Sequence, residues 1–174
     1  MDLSRVHKKL DEAQFFLAKM MEEEPRIVGG KQPFDYYLSA FLNAGRTIDY
    51  RLRYEQAAIY PAWRKGWDTS LTPQENSLIK FMVDDRIAEV HASGSKRSIG
   101  QEEIGLGIGE HRLPGQGMIS ISGPPDMPPV VMSRPTYKYE NFIIAGAEWR
   151  VTDACTKYLA LLQRMVAEFE AANP

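Results

Sequence analysis

Thr72-Pro73-Gln74-Glu75 opens a stretch that closes on Asp84-Asp85-Arg86-Ile87-Ala88-Glu89-Val90-His91. The opening has the form of a capping box, with proline at the first helical position, so it predicts a helix starting at Thr72. Ser93-Gly94-Ser95 predicts the stop, with Gly94 as the left-handed residue beyond the last turn. At 100° per residue, Ile79, Met82, Val83, Ile87 and Val90 share an arc, and Arg86 falls near its middle. A guanidinium on an apolar arc needs a carboxylate, carbonyls or an anion, because burying it unpaired costs roughly several kcal/mol. His91 lies to one side of that face in the final turn, where the helix dipole favours an imidazolium.

Working outward, three further helices are legible. Leu3, Val6, Leu10, Ala13, Leu17 and Met20 alternate spacings of three and four, which predicts a helix from about residue 3 to 24. Pro25 and Gly29-Gly30 end it. After Pro33, the stripe Phe34, Tyr37, Phe41, Gly45, Ile48 and Leu52 predicts a second helix. Gly45 inside it costs about 1 kcal/mol relative to alanine, so its expected use is close helix–helix approach. A connector containing Pro61, Trp63 and Trp67 follows, its tryptophans expected to plug the bundle end rather than to stack bases. The last helix is expected from about residue 153 to 171, capped by Thr152, with Cys155, Tyr158, Leu162, Met165 and Phe169 on its stripe.

Between Ser93 and Arg150 glycine and proline are dense, and short strand-like pieces stand at 118–122, 130–133, 141–144 and 148–151. Ala145-Gly146-Ala147 reads as a hairpin turn between the last two. The expected fold class is mainly α: a four-to-five-helix bundle with a β-hairpin-containing insertion before the last helix. Residues 1–174 are read as one domain, and 93–151 as a loop and hairpin insertion too poor in apolar residues for its own core.

Composition narrows the chemistry. The net charge of −2 lacks the basic footprint of indiscriminate nucleic-acid binding. Local charge differs: Arg46, Arg51, Arg53, Arg64 and Lys65 face only Asp49 and Glu55 in their segment, and Lys96 and Arg97 follow the histidine turn. The single cysteine excludes an internal disulfide and fits a reducing compartment. No run approaches the roughly 20 apolar residues that span a bilayer, so no membrane association is expected and the cytoplasm is the expected location. His7, His91, His111 and Cys155 show no metal-ligand spacing, so neither metal nor cofactor is expected. Gly105-Leu106-Gly107-Ile108-Gly109 lacks the strand, helix and lysine of a phosphate-binding loop.

Arg86-Ile87-Ala88-Glu89-Val90-His91 resembles the motif of arginine, four to six residues, then histidine found in the HEPN (higher eukaryotes and prokaryotes nucleotide-binding) superfamily. Phe34-Asp35-Tyr36-Tyr37-Leu38-Ser39-Ala40-Phe41-Leu42-Asn43-Ala44-Gly45-Arg46-Thr47 is similar to the second helix of bacterial members. The tryptophan connector, motif helix, late hairpin and closing helix also follow the family's order. The resemblance implies a helical bundle, paired as a homodimer across a shared groove, with RNA as ligand in toxin–antitoxin or defence settings. It implies Arg86 and His91 as catalytic residues of a metal-independent endoribonuclease. Arg46, Lys96 and Arg97 are the candidate substrate-binding residues, with a surface ion pair to Asp49 the alternative for Arg46. The resemblance also implies an antitoxin or nucleotidyltransferase-type protein as a partner. Ile87 stands where many members carry a polar residue after the arginine, and Ser93 where one toxin branch carries a modifiable tyrosine. A second reading therefore stays open, a catalytically silent HEPN-like module that pairs with another protein.

Overall fold

The computed structural model describes residues 2–24, 32–91, 97–103 and 136–174; for 85–91, 97–103 and 136–140 the description is of the backbone. Element order is α1 (Ser4–Glu23), α2 (Gln32–Glu55), α3 (Tyr60–Ser70), α4 (Pro73–His91), β1 (Arg97–Glu103), β2 (Thr136–Ile144), β3 (Ala147–Arg150) and α5 (Val151–Ala172). The chain is mainly helical, with an antiparallel hairpin immediately before the last helix, as expected.

Side-chain pairs give the helix directions. Arg5 at the start of α1 reaches Glu55 at the end of α2 at 3.8 Å, so these two run antiparallel. His7 meets Glu170 at 2.7 Å, while Thr152 donates to Glu24, which makes α1 antiparallel to α5 as well. Glu75 near the start of α4 accepts from Arg164 late in α5, so α4 also opposes α5. Helix α2 runs alongside α5 in the same sense, with the Phe41 and Tyr158 rings edge to face at 6.2 Å. The expected α1 stripe is buried in full, Leu3, Val6, Leu10, Ala13, Leu17 and Met20. The four long helices, α3 and the hairpin feed one core, in which Phe41, Phe142, Phe169 and Tyr60 are among the largest enclosed side chains.

Gly45 performs the expected close approach. A Cβ built there would lie 2.9 Å from Tyr158 Cε1 and 3.4 Å from Leu162 Cδ1. The absence of a side chain on α2 is what lets the Tyr158 ring of α5 lie against its backbone.

Three local expectations need correction. The tryptophan connector is itself a helix, α3, with Pro61 in its first turn, where a missing N–H costs nothing. Thr152 does not cap α5; Arg150 holds the N-cap position without a side-chain capping bond, and Thr152 is buried with its hydroxyl donated to the Glu24 carboxylate. Residues 97–103 form a strand, which local patterning did not suggest because Arg97-Ser98-Ile99-Gly100-Gln101-Glu102-Glu103 has almost no apolar alternation. Its existence rests on pairing with β2, from Arg97 opposite Phe142 to Glu103 opposite Thr136.

The hairpin turn stands where the sequence put it. Ala145 (φ 51°) and Gly146 (φ 83°) both occupy the left-handed region, the geometry of a two-residue turn whose twist matches the flanking strands. Ile144 pairs with Ala147 and Asn141 with Arg150 across it. Phe142 and Ile144 are buried, and the Phe142 ring lies 4.9 Å from that of Phe81 on α4, so the hairpin is fastened to the bundle by its apolar face. The strand-like pieces at 118–122 and 130–133, and the Gly94 stop, lie outside the described residues.

Candidate functional site

Helix α4 starts as its sequence requires. Glu75 N–H donates to Thr72 Oγ1 at 3.3 Å, and Thr72 N–H donates back to Glu75 Oε2 at 2.8 Å, a reciprocal capping box. From that start the backbone stays helical through His91, so Arg86 and His91 occupy its last two turns, about 7.5 Å apart along the axis at 1.5 Å per residue. Among its described side chains Leu78 and Met82 are buried, while Ile79, Phe81 and Val83 are half-buried. The buried stripe is therefore wider than the arc read from Ile79, Met82 and Val83, because α4 packs on both α2 and α5. The side chains of Arg86 and His91 lie outside the described residues, as does Lys96. Arg97 begins β1 opposite Phe142 on the backbone.

Arg46 stands elsewhere. It is exposed on α2 and makes an ion pair with Asp49 at 3.5 Å. Asp49 in turn is the centre of a polar cluster built into the α3 end of the bundle. The residue is 6% exposed, and both carboxylate oxygens are occupied. Oδ1 accepts from Tyr60 Oη at 2.7 Å and from Arg64 Nη1 at 2.7 Å, and Oδ2 accepts from Arg53 Nε at 2.7 Å. Arg64 continues to Asp68, donating from Nε at 2.9 Å, and its guanidinium lies 4.9 Å from the Trp67 ring centroid. Burial alone would raise the Asp49 pKa. The Tyr60 and Arg53 hydrogen bonds and the Arg64 charge outweigh it and hold the carboxyl below its ordinary value. Burial, reinforced by the Asp49 charge, pushes the Tyr60 phenol well above the ordinary tyrosine range.

The two sets of residues lie toward opposite ends. Leu78 and Leu161 line one groove, and Arg86 begins eight residues beyond Leu78, about 12 Å further along α4 and away from α3. The structure thus puts Arg46 in the Asp49 cluster and the Arg86–His91 segment at the other end of the same bundle. Sequence reading noted Arg53 and Arg64 only as local charge, and Asp49 only as an ion-pair partner for Arg46, a pair that is present. The missed signal was the position of Asp49 between Ile48 and Leu52, on the stripe that Gly45 and Phe41 mark as buried. An acid there has to be met by cations from a neighbouring element.

The tryptophans behave as expected. Trp67 is buried and donates Nε1–H to Glu168 at 2.8 Å, and Trp63 stacks on it at 6.2 Å while meeting Phe169 edge-on at 5.0 Å.

The groove lined by Leu78 and Leu161, about 440 Å³ in volume, runs between α4 and α5 beside the hairpin, with Trp149 and Arg164 also in its walls. Lys157 Nζ sits 4.2 Å from the Trp149 ring centroid at its edge, and Arg164 is engaged by Glu75. Among the described residues no group of three or more acids, histidines or cysteines is placed to hold a metal ion, and no helix is long and apolar enough to cross a membrane. Comparison with protein-family models, curated proteins and solved structures found no match to this chain.

Proposed function

We propose that this chain is a HEPN-like helical bundle that binds and cleaves RNA through Arg86 and His91 at the end of α4. The observation that supports the reading most is the continuity of α4. A capped start fixes the helix, and the backbone stays helical from Pro73 to His91, so arginine and histidine lie on one element, in its last two turns. The late hairpin and closing helix stand in the order that the resemblance implies.

The chemistry follows from the residue types. His91 takes the proton of a ribose 2′-hydroxyl as O2′ bonds to its own phosphorus; the P–O5′ bond breaks, and a proton is returned to the departing O5′. Arg86 holds the phosphoryl oxygens by forked hydrogen bonds while charge builds on them. Products are a 2′,3′-cyclic phosphate and a 5′-hydroxyl. Two protomers, with their α4 ends apposed, form the groove in this reading. An antitoxin or nucleotidyltransferase-type protein is the partner that restrains it, and the location is the cytoplasm. Lys96 and Arg97, just beyond α4, guide the strand toward the site.

The second reading is the silent interaction module, and Ile87 is what favours it, because an apolar residue replaces the polar group that follows the arginine in many nucleases of this kind. Incubating end-labelled single-stranded RNA with the parent, Arg86→Ala and His91→Ala proteins separates the two. Cleavage by the parent, lost in both variants, is the expected result. Cleavage undiminished in both variants removes the site, and no cleavage of any RNA by a folded parent leaves the interaction module.

A further inference from the structure

The outward face of α2 carries three large aromatic side chains in solvent, Tyr36 (64% exposed), Tyr50 (65%) and Tyr54 (77%). Rings of this size are ordinarily at least half covered, and three along one helix need an explanation. Arg46, Tyr50, Arg53 and Tyr54 fall within about 100° of one another around the helix axis. Tyr50 and Tyr54 are separated by about 6 Å of rise, and Arg46 and Arg53 by about 10 Å.

The charge beneath this face is unbalanced. Three guanidiniums, Arg46, Arg53 and Arg64, share the carboxylates of Asp49 and Asp68. Asp49 is enclosed, and Arg64 is nearly so, whereas Arg46 and Arg53 have side chains 45% and 55% exposed, so the excess positive charge reaches solvent beside the tyrosines. Glu55, the next acid along α2, lies on the opposite flank and is taken by Arg51 at 2.8 Å. Fixing Arg46 and Arg53 by their ion pairs also reduces the side-chain freedom that binding would otherwise remove.

We propose that this face binds single-stranded nucleic acid, the arginines meeting the sugar–phosphate backbone and the tyrosines stacking bases. Stacking surfaces interleaved with cations are what an unpaired strand needs, since every base has a π-face. A second copy of the chain fits less well, because a two-fold contact through this face would bring two positively charged surfaces together. The proposal deepens the RNA reading by supplying a surface that holds the strand away from the α4 end. It is tested by binding, so it stands or falls separately from cleavage.

The test is fluorescence anisotropy with a labelled 20-nucleotide oligo-U, in the full-length His91→Ala protein so that cleavage plays no part, with and without Tyr50→Ala plus Tyr54→Ala. Both tyrosines are exposed, so the fold is retained. The expected result is at least a tenfold loss of affinity in the double variant. Arg46→Gln is expected to lower the salt slope of log K by about 0.7. A duplex of equal length, whose bases are unavailable for stacking, is expected to show no loss on removing the tyrosines. Oligo-U affinity unchanged in the tyrosine variant overturns the proposal, as does absence of binding by the folded parent. Polyglutamate bound as tightly as oligo-U also overturns it, assigning the face to an acidic protein. So does a dimer that the tyrosine variant dissociates without affecting oligo-U binding.

Discussion

The Tyr60 hydroxyl donates to Asp49 Oδ1 across a 2.7 Å contact inside the protein, tying α3 to α2 at a point where both residues are buried. Helix α3 has only 11 residues, too few to be stable alone, so contacts of this kind decide whether it is held. Tyr60→Phe keeps the ring packing against Trp63 and Phe169 and removes only the donor. It is expected to cost about 1–3 kcal/mol because a buried carboxylate loses one partner. Asp49→Ala removes the acceptor of Tyr60, Arg53 and Arg64 at once, leaving the enclosed Arg64 guanidinium only Asp68, and is expected to cost more, about 3–5 kcal/mol. Urea unfolding of both variants beside the parent checks the order.

The same carboxylate sets an acid limit. Its folded pKa lies below the ordinary value, so its contribution to stability is fully present above the unfolded value of about 3.9 and is lost as pH falls through the folded one. The stability difference between the parent and Asp49→Asn should therefore be constant from neutral pH down to about pH 5 and shrink below that. Urea midpoints measured between pH 2 and 7 would show it, and a difference unchanged at the acid end would contradict the assignment.

Gly45→Ala pits two effects against each other. Alanine gains about 1 kcal/mol of helix propensity. Against this, the new methyl would be 2.9 Å from the buried Tyr158 ring, which is itself held by Phe41 and cannot move aside without reopening the α2–α5 contact. Overpacking of this kind costs about 1–3 kcal/mol, so a net loss is expected, read as a lower thermal midpoint. Gly66 is the control, because a methyl added there would meet no atom within 4 Å: Gly66→Ala should stabilise.

At the α4 end, removing a general base or acid is expected to slow RNA cleavage by about 10²–10⁴ in His91→Ala. Loss of a charge-stabilising group in Arg86→Ala should slow it by about 10²–10³. Arg86→Lys keeps the charge without the fork and should recover only part of the rate. Single-turnover assays on one RNA would rank the three.

Local patterning in the sequence determined much of this protein. Three- and four-residue spacing marked α1, α2 and α5, the capping box set the start of α4, and Ala145-Gly146 marked the hairpin turn, because these features depend on neighbours a few residues away. Tertiary structure alone decided the rest. Strand β1 exists through pairing with residues some 40 positions distant, α3 is held by its packing, and Thr152 is turned from a cap into a partner of Glu24. Asp49 shows the division most clearly. The sequence placed an acid among apolar neighbours with Arg53 four residues on, a pair within α2, but only the approach of α3 and α5 removed water from it and added Tyr60 and Arg64 as partners. That Arg64 is brought to Asp49 is a property of long-range packing, since the cost of burying each charge arises only when the helices close.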